Sequence, residues 1–322
     1  MSGRSRSANR CYYLSVQSFS ELITLANRQR MKLFVSGLVL ALSFLSAAAQ
    51  SPAKQTPDAN RPSPLVRTTS RHEVRRFAYG GTLTVVGPPD GSITVEGWPR
   101  NEVDISAEIQ LNADSEKNLD LLAAVNTFVL DEDVNHLRIL TTGTHDKVFM
   151  KAVARKFPKT LLGLPWRIDY RIRVPLMIDL EINSGRGPVK ISDVEGNVRV
   201  SATESEVNLK LTGGTVSATV ALGKINMIIP MRSWRGNGAE LRLAAGDVIV
   251  ELPAGFNADI DADVLRTGRI VDDYGALEKR DTRGVPGPQQ FRVRAGSGGA
   301  FFQFTVGDGT IYFKKQTAES KQ

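Results

Sequence analysis

The sequence predicts an all-β protein: a right-handed β-solenoid or β-helix-like stack of short glycine-punctuated strands, with one or two short helical insertions. An antiparallel β-sandwich is the alternative. Three observations predict it. Segments starting at Gly187, Gly196, Ser205, Gly214 and Gly223 recur every nine residues, each reading turn residue, polar, apolar, polar, apolar. Strands of period two fill much of the remaining chain. The pattern then returns at wider spacing, at Gly246, Gly268 and Gly309. No single unit has enough apolar positions for a core, but stacked units bury theirs in a continuous ladder, and glycine permits the corner conformation each tight turn needs. An antiparallel meander gives similar alternation, which is why the sandwich stays open.

The chain begins with an export-type leader. Arg28, Arg30 and Lys32 precede the apolar run Leu33 to Leu45, which closes on Ser46-Ala47-Ala48-Ala49-Gln50, a small-residue site that places cleavage after Ala49. The run is shorter than the roughly 20 residues of a membrane span. Met31 stands where such a leader normally starts, so residues 1–30 read as an over-called start within the leader 1–49. Residues 50–69, rich in Pro, Ser, Thr and Asn, read as a linker, leaving 70–322 as one β-repeat domain.

Charge and cysteine content follow from the same division. The net charge is +7, from 41 basic and 34 acidic residues. Removing the leader's six basic residues and its one acid, Glu21, leaves 35 and 33, so the basic balance belongs to the leader and a nucleic-acid partner is not indicated. The only cysteine, Cys11, also lies there. The exported chain therefore has no disulfide, thiolate metal site or cysteine nucleophile, and no lipid anchor on a cysteine.

Before the repeats, Gly91–Val95, Val103–Ala107, Leu137–Ile139 and Ile168–Val174 alternate as half-buried strands. Two stretches break the pattern. Asp114 is placed to cap a short helix from Ser115 to Val125 with Leu119, Leu122 and Ala123 on one side. From Lys147 to Trp166, Lys147, Lys151, Arg155 and Lys159 recur every four residues opposite Phe149, Val153 and Phe157, an amphipathic helical pattern curtailed by Pro158. That segment reads as a cap over one end of the stack, or alternatively as a membrane-surface contact through 147–159.

The motifs that carry chemistry are sparse. A calcium-binding nonapeptide roll repeats an aspartate in each unit, whereas here the equivalent positions are Asp193, Ala202, Leu211 and Val220. Asp259, Asp261 and Asp263 alternate on one strand face and read as a solvated outer row. With Asp272 and Asp273 they are the acids to test if the protein cleaves polysaccharide, because glycoside hydrolysis needs two carboxylates roughly 5–9 Å apart. His72, His136 and His145 are dispersed, and His145-Asp146 reads as a loop. Gly296-Ser297-Gly298-Gly299 lacks the lysine and helix of a phosphate cradle and reads as a turn. No catalytic, cofactor-binding or metal-binding residue is assigned, and no cofactor is expected.

The residues resemble the DUF4097 family of adhesin-type domains in exported bacterial proteins. The resemblance rests on Gly91–Trp98 with Val103-Asp104-Ile105, Arg173-Val174-Pro175, Asn183-Ser184-Gly185, the repeats from Gly187 to Val200, Gly246–Pro253 and Gly309-Thr310-Ile311, spanning roughly residues 72 to 315. It implies a β-strand repeat fold, export and an adhesive or surface-scaffold role, and carries no catalytic residues. Two departures stand out: the long segment 147–166, and Ser205 where glycine is expected.

The resulting expectation is a non-enzymatic exported protein, periplasmic or on the cell surface, that presents a strand face to an envelope or extracellular protein or polysaccharide. A polysaccharide lyase or hydrolase and a peripheral membrane protein are the alternatives. The final strand, Gly309–Phe313, is expected to be an exposed edge open to self-association.

Overall fold

The computed structural model describes residues 64–153, 156–280 and 289–316. The expected leader and the first part of the expected linker lie outside them. The described chain is all-β: β1 Leu65–Arg76, β2 Thr82–Val86, β3 Ile93–Trp98, β4 Glu102–Ala113, α1 Glu116–Ala123, β5 Thr127–Asp133, β6 His136–Thr142, α2 Lys147–Val153, β7 Trp166–Pro175, β8 Asp179–Arg186, β9 Val189–Ser192, β10 Asn197–Lys210, β11 Gly213–Ile228, β12 Arg235–Leu252, β13 Ala258–Val264, β14 Gly268–Asp273, β15 Leu277–Lys279, β16 Gln290–Ala295 and β17 Ala300–Lys315. β1 starts at Leu65, five residues inside the stretch read as linker. Its Thr68-Thr69-Ser70 segment has no strand pattern of its own and is held by backbone pairing to β4.

The nine-residue unit is half a coil. Val198 pairs in parallel with Leu180 on one side and Val216 on the other, a step of 18 residues in each direction. Two units therefore make one turn of the stack. Across the corner the parity of the buried residues switches: Val198, Val200 and Ala202 point inward before it, and Val207 and Leu209 after it. The chain thus forms two strand layers around one core. Antiparallel pairing, the basis of the sandwich alternative, is confined to the pairs β1–β4, β4–β7, β5–β6, β13–β16 and β15–β16 toward the two ends.

The core is a set of ladders perpendicular to the strands. Val189, Val207, Ile225, Val248 and Ile311 lie in register through successive coils, all with no solvent exposure. Each such side chain stabilises the fold by about 1.5–3 kcal/mol relative to exposure. In the last coils phenylalanines take over, with Phe302 packed edge-on to Phe256 at 5.6 Å and Phe304 to Phe313 at 5.6 Å.

The corner is a second ladder, and it explains the glycines. Gly246 has φ +130, and a Cβ there would lie 1.8 Å from the Gly223 carbonyl oxygen. Gly223, φ +132, stands in the same relation to Ser205. Ser205 itself is absent from the positive-φ residues, and its buried hydroxyl donates to the Gly187 carbonyl at 2.7 Å. The missing glycine is therefore replaced by a side chain that bonds to the coil beneath, and the corner stays regular.

At both ends the spatial order departs from the chain order. β2 and β3 lie between β6 and β7 on one side and β8 and β9 on the other. β17 lies between β12 and the pair β13 and β14. The final strand is consequently not the edge expected from its place in the sequence. Gly309–Phe313 is hydrogen-bonded on both sides because the chain overshoots through β13 to β16 and returns to fill the slot beside β12.

The helical insertions are shorter than their patterns. α1 is capped by Ser115, whose hydroxyl accepts from the Asn118 N–H at 3.4 Å, while Asp114 accepts from the Asn118 side chain. Leu119 and Leu122 are buried as the spacing predicts. α2 spans only Lys147–Val153, and a 3-10 turn follows at Lys159–Leu161. Arg155 lies outside the described residues. Asp146 is a helix cap rather than a plain loop residue, since its carboxylate accepts from the Val148 and Phe149 N–H groups at 2.9 and 3.0 Å.

Candidate interaction surface

The aspartate row lies on one face of β13 as expected, but it is not a solvated row. β16 runs antiparallel beside it, placing Arg294 opposite Asp259 and Arg292 opposite Asp261. Arg294 donates to Asp259 at 2.8 Å, Arg292 donates to Asp263 at 2.8 and 2.9 Å and contacts Asp261 at 3.3 Å, and Arg280 pairs with Asp261. The Arg294 hydrogen bond, working against a small burial effect, holds the Asp259 carboxyl below the usual carboxylate range. Three guanidinium groups thus occupy these carboxylates, and sequence reasoning had no signal for them. Asp272 accepts from the Tyr274 and Gly275 N–H groups, closing the turn after β14 in the other layer. Among the described residues no three acidic or histidine side chains converge to hold a metal ion.

The histidines are likewise separate. His72 contacts Asp104 at 2.8 Å, and His136 contacts Thr84 at 2.8 Å and Arg138 at 3.0 Å. His145 packs beside Trp166 with ring centres 5.3 Å apart, and burial lowers its pKa. Phe157, on the apolar side of the segment 147–159 offered as a membrane contact, packs against the core, and Trp166 at the end of the insertion is buried. No helix among the described residues is long and apolar enough to cross a membrane.

What the fold leaves outward are two strand layers, their rows repeating at the strand spacing of about 4.8 Å. In the layer of β8, β10 and β11, one row carries Asn183, Ser201 and Thr219. The opposite layer carries Lys190, Asn208, Asn226, Ile249, Tyr312 and Val271 in register. There the Asn226 amide donates to Asn208 at 2.8 Å, a ladder bond between like residues in register on adjacent coils.

The second layer ends differently beside β3. Trp98 is fixed by its indole N–H, which donates to the Glu102 carbonyl at 2.9 Å. The guanidinium carbons of Arg100 and Arg173 lie over its ring at 4.8 and 4.5 Å. Arg173 also donates to Asp104 at 2.5 Å. Burial alone pushes the Asp104 carboxyl up, and hydrogen bonds from His72 and Arg173 together outweigh it, holding it below the usual range. Arg76, Tyr79, Pro99, Arg100, Asn101 and Glu102 line an open concavity next to this cluster. The sequence contained these residues, but only β1–β4 pairing brings 76–79 against 99–102.

No family model matches the chain, and no curated protein matches it. The DUF4097 resemblance therefore stands on the quoted residues alone. Among solved structures, a "putative cell adhesion protein" from Clostridium sporogenes aligns with 14% identity over 77% of this chain and 100% of its own, at a TM-score of 0.42. A "putative adhesin" from Bacteroides fragilis aligns with 13% identity over 76% of this chain and 97% of its own, at 0.33. A "putative lipid binding protein" from Parabacteroides distasonis aligns with 10% identity over 76% and 96%, at 0.22. With identities this low and TM-scores below 0.5, none of these proteins lends its role to this chain.

Proposed function

We propose that this chain is a non-enzymatic, exported β-repeat protein, an adhesin or cell-envelope scaffold that presents a strand layer to a protein or polysaccharide partner. The observation that carries this reading is the in-register stack itself. It displays rows of outward side chains at a fixed spacing, polar through Asn183, Ser201 and Thr219 in one layer and through Lys190, Asn208 and Asn226 in the other, a surface on which a long partner makes repeated contacts. Export rests on the leader ending at Ala49. The non-enzymatic part is supported by the state of the acids: Asp259, Asp261 and Asp263 are engaged by arginines, and Asp272 by backbone N–H groups.

The test is binding of residues 50–322 to an array of envelope polysaccharides and extracellular proteins, with every glycan checked for cleavage. Saturable binding with the ligand intact, lost on Asn208→Ala with Asn226→Ala, supports the reading. Cleavage of any glycan establishes an enzyme and overturns it, and its loss on substitution of Asp259 and Asp261 would place the chemistry on those acids.

A further inference from the structure

We infer that the concavity beside Trp98 is a binding site for an acidic sugar, a uronic-acid residue within a polysaccharide. This deepens the proposed function and rests on the exported, glycan-contacting reading. The site is preorganised. Its two walls are tied by a backbone hydrogen bond from the Phe77 N–H to the Asn101 carbonyl at 2.9 Å, and the segment after Tyr79 is anchored by the Gly80 N–H on the Met177 carbonyl at 3.0 Å. The turn at Pro99 is closed by the Arg100 N–H on the Trp98 carbonyl at 2.9 Å. Arg100 stacks over Trp98 with its guanidinium carbon 4.8 Å from the ring centre and donates from one terminal nitrogen to Glu102 at 3.3 Å, an orientation held on both counts, and a guanidinium carries further N–H donors with which to recognise a carboxylate.

Charge then selects the ligand. Arg71, Arg75, Arg100 and Arg173 each have a carboxylate within ion-pair distance, whereas exposed Arg76 has none among the described residues. Arg76 and Arg100 against Glu102 leave one uncompensated positive charge. A uronic acid suits the mixture: its carboxylate pairs with Arg76 and Arg100, its hydroxyls donate to Glu102 and bond with Asn101, and its apolar ring face has the half-exposed Tyr79 ring to pack on.

The experiment is calorimetric titration of residues 50–322 with a galacturonic-acid hexasaccharide, with neutral maltohexaose, hexaglutamate and anionic phospholipid vesicles as comparisons. The proposal expects saturable binding of the uronate, none of maltohexaose, and affinity at least tenfold weaker in Arg76→Ala and in Tyr79→Ala. Both residues are exposed, and unchanged melting curves establish that the variants fold. An unaltered affinity in both variants, no uronate binding by the parent chain, or equal or tighter binding of hexaglutamate or vesicles overturns it. Uronate binding lost instead in Asn208→Ala with Asn226→Ala overturns the concavity while leaving the strand-layer function standing.

Discussion

The middle of the stack and its two ends obey different rules. From β10 through β11 each coil is two nine-residue units, the core is aliphatic, and every strand has a parallel neighbour on both sides. At the ends the chain order breaks, antiparallel strands appear, and cores and surfaces are built from aromatic and ion-paired residues. The difference follows from translation. An interior coil meets copies of itself and repeats one solution. An end coil has one side with no successor and must satisfy its backbone and cover its apolar residues by other means.

The strongest way to break the interior is at its corner. Gly246→Val combines a φ of +130 with a Cβ 1.8 Å from the Gly223 carbonyl, and we expect a loss of at least about 3 kcal/mol in denaturant unfolding, or failure to fold. Ser205→Gly at the same corner removes one hydrogen bond and should cost only about 1 kcal/mol. Equal losses at the two positions would show that stacking of the corners is not what demands glycine.

Next in size is the contrast within the ladder of inward side chains. Ile225→Ala, fully buried between two coils, should cost about 2–5 kcal/mol. Ile270→Ala in β14, half-buried and paired only with β17, should cost about 1 kcal/mol. Hydrogen exchange sharpens the same comparison, since amides of β10 and β11 should outlast those of β14.

Smaller again is the lattice of Asp259, Asp261 and Asp263 with Arg280, Arg292 and Arg294. These side chains are mostly about one-fifth to one-quarter exposed, and Asp261→Asn should cost about 1 kcal/mol, less at high salt. The smallest effect is one of pH. Hydrogen bonds from Arg266 and Thr267 push the Asp308 carboxyl down to about 2. A carboxylate with a folded pKa below its unfolded value stabilises above the unfolded value, near 3.9, and that contribution is lost as pH falls toward 2. Asp308→Asn should flatten the acid limb of thermal stability over that window, and an unchanged limb would show the pair to be irrelevant.

The candidate surface was partly legible in the sequence. The alternation of Asp259, Asp261 and Asp263 placed them on one face, but their partners at 280, 292 and 294 arrive through antiparallel pairing over 19 to 35 positions, for which local pattern holds no signal. Trp98, Arg100 and Arg173 are likewise unremarkable until β3 and β7 lie side by side. The amphipathic pattern from Lys147, curtailed by Pro158 as its sequence predicts, forms a helix only over Lys147–Val153, and a 3-10 turn capped by Pro158 follows at Lys159–Leu161 with Leu161 and Trp166 in the core.

By itself the sequence determined the repeat, the inward and outward alternation, the corner glycines and the all-β class, because each depends on spacing along one strand and on the conformations a residue permits. Only the tertiary structure decided that two units close one coil, that the last strand is interior, and which charges meet across the ends. Those outcomes depend on which distant segments fill the unsatisfied edges of the stack, a choice made by backbone hydrogen bonding and burial between coils rather than by local pattern.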